Sequence, residues 1–492
     1  MPPTKHEIDS PDTTSLAYRA MEGRWSKIRT VLAGTDTMRA AGESLLPRHD
    51  NETDRSYKNR LKRAVLFNAT ELTLGELVGR PFSDPVKIED APDSIKKLLD
   101  DVDLQGNDAH TFLRGVFREG LSKAFTHVLV DFPRVPESDN RTLDDDRKEN
   151  LRPYWVHVKP ECLLFASAEF HGGREILTHI RILESVKEKI GFAEEEKPQI
   201  RVMDLVEEGV QVSIYRPTKR KVGGKTQWEM VEAFLMDGID FIPLVTFYAD
   251  RCDFMEGKPP MLDVVELNIQ HWQSCSDQEH CLTAARFPIL AASGVPAPAN
   301  VRTKDAIADT IVIGPYTILR SKDPAAKFYY VEHTGKALEA GEHAIEHIEV
   351  RMAEHGALFL KKKPGNPTAT ARALDSAEAT SPLQDMTQRF ISFTEMLLWV
   401  TAQWLEEEKT GTVVMTTDFG PEEFTQQDMS ALTEARKNRD LSRTRFLLEL
   451  KRRAVLADDF DEKKNESELE NERASVPESD RDPPQKDDAE EE

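Results

Sequence analysis

The chain has little of what usually carries chemistry. Its 492 residues include four cysteines, Cys162, Cys252, Cys275 and Cys281, and no Cys-x-x-Cys pair. That spacing indicates neither a disulfide framework nor a zinc ribbon, and free thiols in a reducing compartment are expected. No apolar run approaches the roughly 20 residues that span a bilayer. The opening MPPTKHEIDSPDTTS lacks the apolar core of a secretory signal, so the expectation is a protein kept in a cytoplasm, without a membrane partner. A Gly-x-x-x-x-Gly-Lys-Ser/Thr loop is absent, which argues against ATP hydrolysis in this chain. No Gly-x-Ser-x-Gly elbow marks a serine hydrolase. No cofactor is implied, and nothing in these absences asks for an enzyme.

Positive charge is the minority: 65 Lys and Arg stand against 88 Asp and Glu, a net charge of −23. The stretch from Asp458 to Glu492 holds 16 acidic and 5 basic residues and so supplies −11 of that total. Such a segment buries too little apolar surface to offset chain entropy, and residues 458–492 read as a disordered acidic tail. Tight DNA binding normally comes from phosphate neutralisation, which an acidic chain supplies poorly. Acidic walls are compatible with a conduit through which DNA slides, without pointing to one.

What is present is an α+β order of elements within a length that allows two to four domains. Residues 1–15 read as a disordered N-terminus. LAYRAMEGRWSKIRTVLAG has helical periodicity, with Trp25, Ile28, Val31 and Leu32 near one face. RSYKNRLKRAVLFNATELTLGELVGRPF reads as one long helix, ended by Gly79 and Pro81. A helix over Ala109–Lys123 precedes the strand THVLVDF, and Glu137–Asn150 is a charged surface loop. From Tyr154 to Tyr248 the runs YWVHV, ILTHIRIL, QIRVMDLV, VQVSIYR, WEMVEAFL and PLVTFY alternate with period two and predict an antiparallel sheet.

The region from Phe241 to Trp404 carries the most information. The strand FIPLVTFYAD leads into a helix over Pro259–Arg286. An apolar segment punctuated by Pro and Gly, Phe287–Asp323, follows, and a second long helix runs from about Gly335 to His355. After a basic loop, SPLQDMTQRFISFTEMLLWVTAQWLEEE predicts a third helix, with Phe390, Phe393, Met396, Leu397, Val400 and Trp404 as its packing stripe. Two helices bracketing a small β module make poor geometry for a pocket and suit a stalk with a foot. A short strand, TVVMTTDF, and two more helices precede the tail.

Three motifs are candidates for chemistry. His343-Ala344-Ile345-Glu346-His347 matches the H-x-x-E-H pattern of inverted zinc proteases, in which two His one turn apart hold a metal and a Glu activates water. Its helix is crowded with Glu, and no third ligand stands out, so a solvated face is the preferred reading and no metal is expected. His271, Cys275, His280 and Cys281 read as structural. Lys361, Lys362 and Lys363, with Arg372, form a basic loop broken by Pro364, Gly365 and Pro367. Its lysines suit mobile phosphate contacts that read no sequence.

The order of these elements resembles phage portal proteins, most closely a divergent portal-like group catalogued as a domain of unknown function. YKNRLKRAVLFNATELTLGELVGRPF, ARFPILAASGV, VIGPYTILRSKD, FYYVEHTGKALEAGEHAIEHIEVRMAEHGALFL and TATARALDSAEATSPLQDM carry the likeness, over roughly Arg55–Glu407. The resemblance implies a homo-oligomeric, dodecameric ring at one vertex of the virion head, assembled in a bacterial host. Double-stranded DNA would pass through it during packaging and ejection. Its implied partners are the terminase large subunit, the major capsid protein and scaffold, and a head–tail adaptor. It also implies a helical/β wing over 16–250, stem helices at 259–286 and 333–356, a small α/β clip at 287–331 and a tunnel loop at 357–380. A spine helix at 381–410 and a return strand with crown helices at 411–457 complete the subunit. Lys361, Lys362, Lys363 and Arg372 would then meet DNA, and Arg302, Lys304 and Asp305 in the clip would meet the motor. The alternatives are a zinc-dependent hydrolase using His343, Glu346 and His347, and a virion adaptor that forms no ring.

Overall fold

The computed structural model describes residues 10–133, 150–222, 225–236, 238–286, 289–293, 327–331, 336–358, 381–417 and 426–452, with a few isolated positions besides. Helix α1 (Leu16–Leu32) starts at Ser15, whose side chain accepts from the Tyr18 N–H. It buries Met21, Trp25, Ile28 and Val31, the face that the periodicity predicts. Residues 10–15, read from sequence as part of a disordered N-terminus, are tied down. Arg181 donates to the carbonyls of Ser10 and Pro11, and the Ser15 N–H donates to Leu164 O at 2.9 Å. Helix α2 (Thr35–Ala41) follows.

The long helix predicted over Arg55–Phe82 is two helices, α3 (Asp54–Arg63) and α4 (Ala69–Gly79). The break has a local cause. Asn68 accepts from the Glu71 N–H through its side chain and donates from the same amide to Val31 O at 3.0 Å, an N-cap that competes with helix continuation. Leu66 turns into the core beside Ile28, Val31 and Trp272, while Val65 and Phe67 face solvent. Helices α5 (Asp93–Leu98) and α6 (Ala109–Lys123) complete the helical opening, and Asp108 caps α6 on the Thr111 N–H.

The alternating runs from Tyr154 to Tyr248 build two sheets where the sequence reads one. Strand β2 (Phe125–Asp131), buried along its whole length, lies between β3 (Tyr154–Val158) and β9 (Leu244–Tyr248), antiparallel to both. The intervening strands form a five-stranded meander in sequence order: β4 (Leu163–His171), β5 (Arg174–Ile190), β6 (Ala193–Val206), β7 (Gly209–Val222) and β8 (Lys225–Met236). Period-two alternation reports which face is buried and says nothing about which strand is the neighbour. Ile180, Ile182, Met203, Val210 and Val212 of the meander pack with Leu129, Val158 and Leu244 of the smaller sheet.

The opposite face of the smaller sheet is covered by helices. Phe247 meets Phe117 of α6 with ring centroids 5.8 Å apart, and Phe390 of the helix over Pro382–Trp404 at 4.8 Å. A Cβ on Gly120 would lie 2.4 Å from the Phe247 ring, so the missing side chain sets how closely α6 approaches. Two-stranded ladders pair β1 (Lys87–Glu89) with Thr412–Val414 and β10 (Arg251–Asp253) with β11 (Glu256–Gly257). The chain divides after Asp418, and the unit from Phe419 onward contains helices over Gln426–Lys437 and Arg443–Arg452. Residues 458–492 lie almost entirely outside the described residues.

Candidate functional site

Helix α7 (Leu262–Ala285) is buried over its first half because it is packed on more than one side. Val265, Ile269 and Trp272 join the core of α1, α2 and the 64–66 segment, and Leu267 meets Ala69 of α4. The fully buried Asn268 makes three hydrogen bonds. Its Oδ1 accepts from the Thr70 N–H and hydroxyl at 3.1 and 3.0 Å, and its Nδ2 donates to Phe67 O at 2.8 Å. An amide from α7 thereby satisfies backbone groups that the start of α4 leaves open.

Helix α8 (Lys336–Leu358) returns antiparallel along α7. Three points fix the register. Gln278 donates to Leu338 O at 2.8 Å, His271 Nε2 lies 3.0 Å from Glu349 Oε1, and Leu267 packs with Ile348 and Met352. Gly341 permits the close crossing, since a Cβ there would come within 2.2 Å of Gln278 Oε1. Beyond the helices the same antiparallel register continues in a ladder, β12 (Ile289–Ser293) against β13 (Lys327–Val331), with Ile289 opposite Val331 and Ser293 opposite Lys327. The helical hairpin is thus drawn out into a β ladder.

The flank of α7 towards α3 is polar. The Arg60 guanidinium, almost wholly buried, donates to Glu52 at 2.8 and 3.1 Å, to Pro47 O at 2.7 Å and to Asp277 of α7 at 3.3 Å. The hydrogen bond from Arg60 holds the Glu52 carboxyl below the usual carboxylate range. Beside this network lies a cleft of about 420 Å³ lined by Arg63, Val65, Cys275, Ser276, Glu279 and His280 among others. Ser276 is buried and its hydroxyl has no partner among the described residues. Sequence reasoning missed this cleft, because Arg60 and Asp277 are brought together across 217 residues.

His271 is buried, with Cys275 Sγ 3.5 Å from its Nε2. His343 and His347 are exposed on α8, and His343 Nδ1 reaches Glu346 Oε2 at 3.1 Å. Among the described residues no three His, Cys, Asp or Glu side chains converge to hold a metal. Lys361, Lys362, Lys363 and Arg372, and likewise Arg302, Lys304 and Asp305, lie outside the described residues.

The helix over Pro382–Trp404, here α9, is capped by Ser381 on the Gln384 N–H, with Pro382 at its first turn. Of the predicted stripe, Phe390, Phe393, Leu397 and Val400 are buried, and Trp404 donates to Val130 O at 3.1 Å. Met396 departs from the stripe and is 49% exposed. Among the described residues no helix is long and apolar enough to cross a membrane.

A family model described as "Domain of unknown function (DUF4055)" matches residues 260–405, the span from the start of α7 to the end of α9. Three solved chains show a distant likeness. A chain of the "Neck of empty GTA particle computed with C6 symmetry" is 11% identical at a TM-score of 0.37, over 82% of this chain and 90% of that one. A chain of the "Virion of native gene transfer agent (GTA) particle" is 11% identical at 0.36, over 88% and 98%. A chain of the "Neck of native GTA particle computed with C12 symmetry" is 9% identical at 0.35, over 78% and 89%. No curated protein matches the chain.

Proposed function

We propose that the chain is the subunit of a portal-like ring at the head vertex of a phage-like particle. It acts as a conduit and docking platform for double-stranded DNA and has no catalysis of its own. The observation that carries this reading is the antiparallel pair α7 and α8, whose register runs on into the β12–β13 ladder. The pair is braced by α4 on one side of a mixed α+β body and lies, with α9, inside the matched family region. In this reading residues 16–250 form the wing, 259–286 and 333–356 the stem, and 287–331 the clip. Residues 357–380 form the tunnel loop, 381–410 the spine, and 411–457 a return strand and crown. Lys361, Lys362, Lys363 and Arg372 make transient phosphate contacts, while Arg302, Lys304 and Asp305 lie where a packaging motor docks. An isolated two-strand ladder is marginal alone, so ladders of neighbouring subunits would complete one another.

Negative-stain electron microscopy with light-scattering mass tests the proposal. Rings with a central hole, and a mass near twelve times the 55.8 kDa chain, support it. A stable monomer or dimer that assembles into no ring with its capsid and scaffold refutes it and favours a non-ring adaptor.

A further inference from the structure

The two outer flanks of the stalk carry opposite charge. On α3, Arg55, Lys58 and Lys62 are exposed and recur at helical spacing on the side away from the buried Tyr57 and Arg60. None of the three has an acidic partner within ion-pair distance among the described residues. The acids on that flank are already engaged: Asp54 by Arg48, Asp277 by Arg60 and His49, and Glu279 by Arg286. On α8, Glu339, Glu346 and Glu354 are exposed along the side away from the buried Ile348 and Met352, with His343 and the 55% exposed Val350 between them. Among the described residues none of these three glutamates pairs with Lys or Arg; Glu346 meets only His343.

The flanks are separate surfaces of one stalk. His271 and Gln278 of α7 face α8, whereas Thr283 meets Arg63 and Ser276 lines the cleft beside α3. At 3.6 residues per turn these two sets lie about 120–160° apart round α7. Two complementary patches on different sides of one molecule form a head-to-tail contact, which closes into a ring when the rotation allows.

We propose that the glutamate flank of α8 in one copy docks on the Arg55–Lys58–Lys62 flank of α3 in the next, so that the stem of one copy meets the wing helix packed on its neighbour's stem in a charged seam. This rests on the ring reading above and names its partner surface. The cleft deepens the seam. Arg63 lines it and, among the described residues, donates only to Thr283, and Ser276 offers a buried hydroxyl with no partner among those residues. A glutamate from the neighbouring copy entering there accepts from both, which satisfies a polar group otherwise left open.

The test is charge reversal in the full chain. Glu339, Glu346 and Glu354 are changed together to Lys in one variant, and Arg55, Lys58 and Lys62 together to Glu in another. All six side chains are exposed, so circular dichroism and melting temperature should match the parent. Each variant alone should lose about tenfold or more of its assembled fraction in 0.1 M salt, because like charges then face each other at every contact. Mixed one to one, the two should assemble with alternating subunits, since every contact again joins opposite charges, and native mass spectrometry should find equal numbers of each. Rings of the parent with unimpaired rings of both variants would overturn the seam alone. So would a mixture that fails to recover. A parent chain that stays monomeric with capsid and scaffold present would overturn both the seam and the ring.

Discussion

Asn268 and Thr70 lie 198 residues apart, yet the Asn268 carboxamide oxygen accepts from both the backbone N–H and the hydroxyl of Thr70. The same amide donates to Phe67 O, so one buried side chain on α7 holds the turn into α4. Replacing Asn268 by Leu keeps the volume but leaves the Thr70 N–H and the Thr70 hydroxyl without their partner, while the Phe67 carbonyl keeps the Ala69 N–H at 2.9 Å. Buried groups left open cost about 1–3 kcal/mol each, so a loss of at least about 2 kcal/mol is expected. Urea denaturation followed by tryptophan fluorescence measures it, and a change under about 0.5 kcal/mol would mean that water replaces the amide.

Two glycines at close crossings should respond differently to alanine. At Gly120 the added Cβ meets the Phe247 ring at 2.4 Å, and that ring is clamped between Phe117 and Phe390. Overpacking of this kind costs about 1–3 kcal/mol. At Gly341 the nearest atom is the far end of the flexible Gln278 side chain. Losing the bond from Gln278 to Leu338 O costs about 0.5–1.5 kcal/mol. Alanine regains about 1 kcal/mol of helix propensity over glycine, so the net change should be close to zero. Melting temperatures of the two variants side by side decide the matter; equal losses would contradict it.

Acid should loosen the packing on the smaller sheet through histidines. Burial pushes His127 down to about 3 and His157 to about 4, from the ordinary 6.5. His127 Nδ1 and His157 Nε2 each sit 2.9 Å from a threonine hydroxyl, Thr246 and Thr126 respectively, with His157 on the face of the smaller sheet that meets Phe112 of α6. With the folded values depressed, the unfolded chain takes up protons first. Stability is therefore full above pH 6.5 and falls as the pH drops through 6.5 towards 4 and 3, by up to about 1.4 kcal/mol per pH unit for each histidine. In His157→Gln the slope between pH 6.5 and 4 should be shallower than in the parent, as read by melting temperature across that range. An unchanged slope would assign the acid sensitivity to other groups.

Under the proposed conduit role, changing Lys361, Lys362 and Lys363 together to Ala should leave ring assembly intact and reduce the DNA packaged or retained per particle. Electron microscopy reads the first and nucleic-acid content of purified particles the second. Full DNA content in the triple variant would remove these lysines from the conduit.

How much of this was legible in the sequence depends on the range of the interactions involved. The two stalk helices and α9 were legible because their signals are local, as with Ser381 and Pro382 at the start of α9. The break between α3 and α4 was not, since Val65 and Phe67 prolong an apolar helical pattern while Asn68, and Asn268 from far along the chain, decide against it. The split into two sheets was hidden for a similar reason: β9 joins β2 across the whole meander, a choice that alternation does not encode. The cleft depends on Arg60 meeting Asp277. Each of those residues reads singly as an ordinary surface charge. Lys361, Lys362, Lys363 and Arg372, and Arg302, Lys304 and Asp305, stay as sequence expectations, since they lie outside the described residues.

The meander has a consequence for the order in which the chain acquires its shape. Each of its strands pairs only with its sequence neighbour, so its contact order is low and a ribosome-bound chain can complete it once Met236 is free. The smaller sheet closes its ladder only when β9 arrives, and its helical face has α6 alone until α9, ending at Trp404, has been made. Partly synthesised chains therefore expose Phe117 and Phe247, and pulse-labelling hydrogen exchange should protect the β5–β7 amides well before those of β2. Protection appearing in the reverse order would rule out this sequence of events. The body on which α7 and α8 pack is thus finished by the segment that follows them in the chain, so the fold closes only after the helical pair has been made.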